Sequence, residues 1–177
     1  LFRSKWAAPF FKGSVVVKVN NNLQMVTLIG VDDYSLIGGP RKMIMGSLDD
    51  LKIPDGVIID QLGYNYVWPG EPLRIGREFE ANDQRMVLVG IADSTPSFAS
   101  PILMYSKYSQ AIKYTGPSRN KMSFVIAKAK DGFDENKVAK KITDQTNLKA
   151  LPWNKFRDET FNYYIGHTGR SEEHTSE

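Results

Sequence analysis

The chain has 177 residues, enough for one ordinary domain or two small lobes with a real core, and its 41% hydrophobic against 24% charged content excludes a disordered polypeptide. It has no cysteine, which excludes a disulfide framework, zinc–thiolate sites and cysteine catalysis. Its net charge of +3 is spread along the chain, without the basic stripe and interleaved aromatics of a nucleic-acid binder. Ser14–Val19 and Leu23–Val31 are apolar, β-branched runs around Asn20-Asn21-Asn22, and predict a β-hairpin because Asn tolerates positive φ. Asp32 opens a loop that ends at Gly38-Gly39-Pro40. Residues 42–51 are ambiguous, with a helical turn over Ser47–Leu51. Pro54-Asp55-Gly56 is a turn, Val57–Asp60 a short buried strand and Gln61–Val67 a brief helix.

Pro69-Gly70-Glu71-Pro72 is punctuation and the expected boundary between two lobes, 1–68 and 69–169. Arg77–Ala81 and Arg85–Ala92 predict a second hairpin, and Ser94–Pro101 a small-residue loop carrying Phe98. A strand at Ile102–Met104 leads into a helix over Ser106–Tyr114, and Met122–Ala129 is a further strand. Asp134–Thr146 is the clearest helix, capped by Asp131 or Asp134, with Phe133, Val138 and Ile142 as its apolar stripe and Lys137, Lys140 and Lys141 beyond the first turn. Pro152 starts a last helix whose Trp153, Phe156, Thr160, Tyr163 and Tyr164 share one face and which ends towards Gly166. Hairpins and separate helices without regular βαβ alternation give an α+β fold, two small lobes of mixed sheet with flanking helices. Residues 170–177 read as the literal translation of AGATCGGAAGAGCACACGTCTGAA, a common sequencing-adapter sequence, and so as an artefactual tail. With Leu rather than Met at position 1, the chain reads as a fragment of metagenomic type, its first lobe N-terminally truncated.

No motif carries a catalytic or metal site. His167 has no partners in the sequence, and Asp32-Asp33 and Asp49-Asp50 lack metal-ligand spacing and read as turn acids. Gly38-Gly39-Pro40-Arg41-Lys42 lacks the spacing of a phosphate loop, and there is no G-x-S-x-G elbow. The expectation is a non-enzyme with no cofactor and no metal. Trp68 and Phe98 are the candidate partner contacts, each with core or loop packing as its other reading.

Ile29-Gly30-Val31-Asp32-Asp33-Tyr34-Ser35, Gly38–Met43, Gly46–Leu51 and Pro54–Asp60 form one series of signatures, continued by Val87–Ile91, Pro101–Ala111, Phe124–Ala129 and Trp153–Tyr164. Together they resemble the extracytoplasmic domain of FtsX/MacB-type ABC transporter permeases, the DevC-like exporter branch in particular, over most of residues 7–169. The resemblance implies a MacB-like periplasmic core domain of an inner-membrane exporter, on the periplasmic face. It implies a cytoplasmic ATPase subunit, a periplasmic membrane fusion (adaptor) protein and a second permease copy as partners, without nucleic acid. The domain would relay ATP-driven motion, the last helix would run to the membrane with both termini at one end, and Tyr163 and Tyr164 would be membrane-proximal aromatics. Two other readings stand beside it. A lipid- or peptide-binding module predicts an apolar cavity lined by Phe10, Phe11, Met25 and Trp68. An enzyme predicts that Asp60, Arg85 and His167 converge in one cleft.

Overall fold

The structure, a computed structural model, describes residues 4–94, 102–116 and 122–168, without the side chains of Tyr164, His167 and Thr168. The first hairpin joins β1 (Ser4–Val19) to β2 (Asn22–Val31) in antiparallel register from Phe11↔Gly30 to Val19↔Asn22. Its turn is made by Asn20 and Asn21, both at positive φ (47° and 66°), which matches the right-handed twist of the strands. β1 starts ten residues before the predicted Ser14. Pro9 and Gly13 hide the strand from propensity, although its residues still alternate with the pleat further on, with Val15, Val17 and Val19 buried between exposed Ser14, Val16 and Lys18.

A three-residue β3 (Met43–Met45) comes next, from the stretch that was ambiguous in the sequence. The 3-10 turn Leu48–Lys52 is held by a capping box between Ser47 and Asp50. β4 (Gly56–Asp60) then leads directly into α1 (Gln61–Val67). β5 (Glu78–Ala81) and β6 (Gln84–Ala92) form the second hairpin, turned by Asn82 and Asp83 at positive φ. β7 (Leu103–Lys107) runs into α2 (Tyr108–Tyr114), and β8 (Phe124–Ala129) follows.

The strands lie in the order β2-β7-β4-β6-β5-β1-β8, with β3 on β6. Because β1 also pairs with β2, the path from β2 round to β1 closes on itself. β2 with β7 and β4 with β6 pair in parallel beside antiparallel neighbours, which makes this a mixed sheet of an α+β fold. Both faces are covered. Val57 and Ile59 join one apolar cluster with Phe11, Leu28, Leu88 and Met104, while Ile58 points the other way, to Val31, Leu36, Leu51 and Tyr105. Burial on both sides explains the unbroken Val57-Ile58-Ile59 run.

Gly30 sets the distance between β2 and α2. A Cβ there would stand 2.7 Å from Ala111 Cβ, 2.8 Å from Phe11 Cβ and 3.2 Å from the backbone of Tyr108. None of these is the tip of a flexible side chain, so Gly30→Ala is expected to cost about 1–3 kcal/mol, read as a lower urea midpoint with an unchanged slope.

The chain divides into two compact units, residues 8–126 and residues 1–7 with 127–177. This division differs from the expected boundary at Pro69–Pro72. That stretch lies inside the larger unit, because β4 before it pairs in parallel with β6 after it. Short-range punctuation marks a loop, and long-range strand pairing decides the unit. The smaller unit holds α3 (Glu135–Thr146) and α4 (Trp153–Thr168). Asp134 caps α3 by accepting the Lys137 N–H at 3.0 Å, and Asn147 ends it in the left-handed conformation at φ 56°. α4 continues through Gly166 to Thr168, further than a glycine stop predicts.

Candidate functional site

Asp60 stands where β4 becomes α1 and is fully buried. Its Oδ2 accepts the Gly63 N–H at 3.0 Å, the cap that starts α1, and its Oδ1 accepts the Leu103 N–H at 2.6 Å, where β7 begins. Burial pushes the carboxyl above the ordinary aspartate value of 3.8, and the N–H bonds pull it back only in part. Both oxygens are occupied by backbone, so this acid joins three elements and is a poor candidate for chemistry.

Arg85 sits near the start of β6, half-exposed and paired with Glu78 and Asp55. Asp60 is in register with Ala92, seven residues along the same strand from Arg85, which separates them by roughly 20 Å at the rise of an extended chain. The enzyme reading needed these two in one cleft, and the structure does not bring them together. The His167 side chain lies outside the described residues. Among the described residues no group of three or more His, Asp or Glu is placed to hold a metal ion.

The residues expected to line an apolar cavity are also dispersed. Phe11 and Trp68 are buried in one core cluster, Phe10 packs on the other, and Met25 is 65% exposed on β2. The open cleft between the two hairpins is lined instead by Lys18, Glu78, Glu80, Asp83 and Arg85, which is a polar surface. Lys18 pairs with Glu80 there, and Arg85 with Glu78.

Trp68, the first candidate partner contact, is 3% exposed. Its ring lies 4.8 Å from Tyr64 and 5.8 Å from Phe79, with the Arg77 guanidinium 5.0 Å over its face. The core reading of this residue is the one the structure supports. Phe98 lies outside the described residues.

On α4, Trp153, Phe161, Tyr163 and Ile165 are each more than half exposed, and Phe156 is 39% exposed. Trp153, Phe156 and Tyr163, the described aromatics of the predicted face, are thus exposed. Sequence periodicity found Trp153, Phe156 and Tyr163 but not Phe161 and Ile165, which lie off that stripe. No helix of the described residues is long and apolar enough to cross a membrane. In the larger unit, Tyr34 is 90% exposed on a loop fixed by Asp32, whose Oδ2 accepts the Ser35 N–H, the Ser35 hydroxyl and the Tyr34 N–H. Those bonds, the Ser35 N–H foremost, hold the Asp32 carboxyl below its ordinary range. Sequence reasoning placed the loop and missed the exposed tyrosine, since exposure has no local signature.

Searches against family models and against curated proteins each found no match. Solved structures do match. The periplasmic region of MacB from Actinobacillus actinomycetemcomitans aligns with a TM-score of 0.59 at 17% identity, over 92% of this chain and 78% of that one. The fold is that of the MacB periplasmic region. The extracellular domain of YknZ, described as a noncanonic ABC-type transporter from Gram-positive bacteria, gives the same TM-score of 0.59 at 15% identity, over 83% of this chain and 79% of that chain. A domain of a putative permease protein from Porphyromonas gingivalis follows at a TM-score of 0.53 and 12% identity, over 88% of this chain and 68% of that chain. At these identities the likeness is one of fold, and the MacB-like architecture implied by the sequence signatures is present.

Proposed function

We propose that the chain is an extracytoplasmic domain of an ABC exporter permease of the FtsX/MacB type, in the DevC-like branch. The observation that carries this reading is the fold likeness to the MacB periplasmic region over 92% of the chain. The domain binds no nucleotide. It couples to a cytoplasmic ATPase subunit through membrane helices of the same permease, works as a permease homodimer, and docks a periplasmic membrane fusion protein. ATP-driven motion reaches it through α4, whose continuous hydrogen bonding makes it a stiff element. Tyr163 and Tyr164 are the membrane-proximal aromatics at its end, and the exposure of Tyr163, Trp153 and Phe161 suits a helix completed by lipid or by the rest of the permease.

Two experiments test this. Reading the gene onward past Gly169 is expected to give an apolar stretch of ~20 residues, and a stop codon in its place overturns the proposal. In the full-length permease reconstituted with its ATPase, Trp153→Ser with Tyr163→Ser is expected to leave unfolding within about 0.5 kcal/mol, as for other exposed positions, while export falls severalfold. Unchanged export with both serines in place removes α4 from the relay.

A further inference from the structure

Between α1 and β5 the chain passes through two glycines, Gly70 and Gly76, at φ 76° and 80°, with no heavy atom beyond their own chain neighbours within 4 Å of where a Cβ would stand. Glycine takes this conformation without steric cost, and neither position is locked by packing. Between them only Leu73 packs on the core, while Glu71, Pro72, Arg74 and Ile75 are exposed. Three bonds at the segment converge on one atom. The Tyr64 hydroxyl donates to Pro72 O at 2.8 Å and accepts from Arg74 N at 3.1 Å and Arg77 Nε at 3.0 Å. Arg77 also bonds Glu71, and its guanidinium lies against the Trp68 ring. At the two ends, Glu71 N donates to Trp68 O at 3.2 Å and Gly76 N to Leu88 O at 2.7 Å.

We propose that residues 70–76 form a strap, hinged at Gly70 and Gly76 and latched by the Tyr64 hydroxyl, which opens as a unit and draws the Glu71-bonded Arg77 guanidinium off the Trp68 ring while the sheet stays paired. A segment with one apolar anchor and a few tertiary hydrogen bonds opens at lower free energy than strands buried on both faces. Release of the latch frees the Arg77 side chain from Trp68, so an aromatic surface that is core in the closed state becomes available in the open one. This holds whether or not the domain belongs to a transporter.

Native-state hydrogen exchange on the whole chain tests the strap. The Glu71, Arg74 and Gly76 amides are expected to exchange faster than those of Val57–Ile59 and Leu103–Tyr105. Tyr64→Phe is expected to speed the strap amides by about 10- to 100-fold and leave the strand amides unchanged. Equal acceleration of both sets, or of neither, overturns the latch. In a background of Trp6→Phe and Trp153→Phe, acrylamide quenching then reads Trp68 alone. Tyr64→Phe is expected to raise it clearly, and Glu71→Gln, which removes only the Arg77 ion pair, to raise it less. Quenching that stays at the level of a buried tryptophan in both variants overturns the release of the Trp68 ring.

Discussion

Asp60→Ala is expected to lower the stability of the larger unit by about 3–4 kcal/mol, from a lost helix cap and two buried N–H groups left without partners. Asp60→Asn keeps one carbonyl oxygen and turns an amide NH₂ towards the other N–H, so its expected cost is smaller, about 1–3 kcal/mol. Chemical denaturation of the three proteins checks the ordering. An alanine variant as stable as the parent would mean that α1 and β7 do not depend on this carboxylate.

The same pair gives a pH dependence of defined sign. Asp60 has its carboxyl raised by burial, so the folded state holds the proton more tightly than the unfolded chain does. Its contribution is fully present below the ordinary value of 3.8 and is lost as pH rises through the folded value. Asp32, Asp134 and Glu78 shift the opposite way, each lowered by hydrogen bonding, so their contributions are lost as pH falls. The raw stability curve therefore mixes the two signs. Subtracting the Asp60→Asn curve from the parent curve isolates one group, and the difference is expected to fall as pH rises above 3.8. A difference that rises instead would show that the two N–H bonds outweigh burial at this carboxylate.

What the sequence made legible is what local chemistry decides. Gln61–Val67 was readable as a brief helix, and the structure adds its cap, Asp60, whose side chain accepts the Gly63 N–H. Both hairpins were readable because Asn20-Asn21 and Asn82-Asp83 supply the positive φ their turns require. The parallel pairing of β2 with β7 was not, since Thr27 and Leu103 are brought into register by chain closure and not by periodicity. For the same reason the Asp60 bond to Leu103 and the seat of Ala111 on Gly30 had no sequence signal, although Asp60 was named in the enzyme reading. Pro69-Gly70-Glu71-Pro72 shows the limit most clearly. Its residues are those of a linker, and what makes it a strap is a tyrosine hydroxyl eight residues before Pro72. In the smaller unit the reverse holds. Along α4 the periodicity places Trp153, Phe156 and Tyr163 on one face, and only burial distinguishes a core face from one left to other surroundings.

Trp68 is where those two possibilities can be separated by experiment. As a core residue, Trp68→Ala forfeits its contacts with Tyr64, Phe79 and the Arg77 guanidinium and leaves a cavity, at an expected cost of about 3–5 kcal/mol. For a unit of this size that is a fall of about 12–20 °C in Tm. Trp68→Phe retains an aromatic face for Arg77 and most of the apolar volume, and is expected to recover more than half of the loss. A surface contact gives the opposite pattern, a parental Tm in both variants with partner binding reduced. The closed strap requires the first pattern in the isolated domain. Only in a protein whose strap has been loosened, by Tyr64→Phe or Glu71→Gln, is the indole at position 68 expected to be accessible to quencher as well as necessary to the fold, and the combination of those two properties at one residue is what a latched core tryptophan predicts.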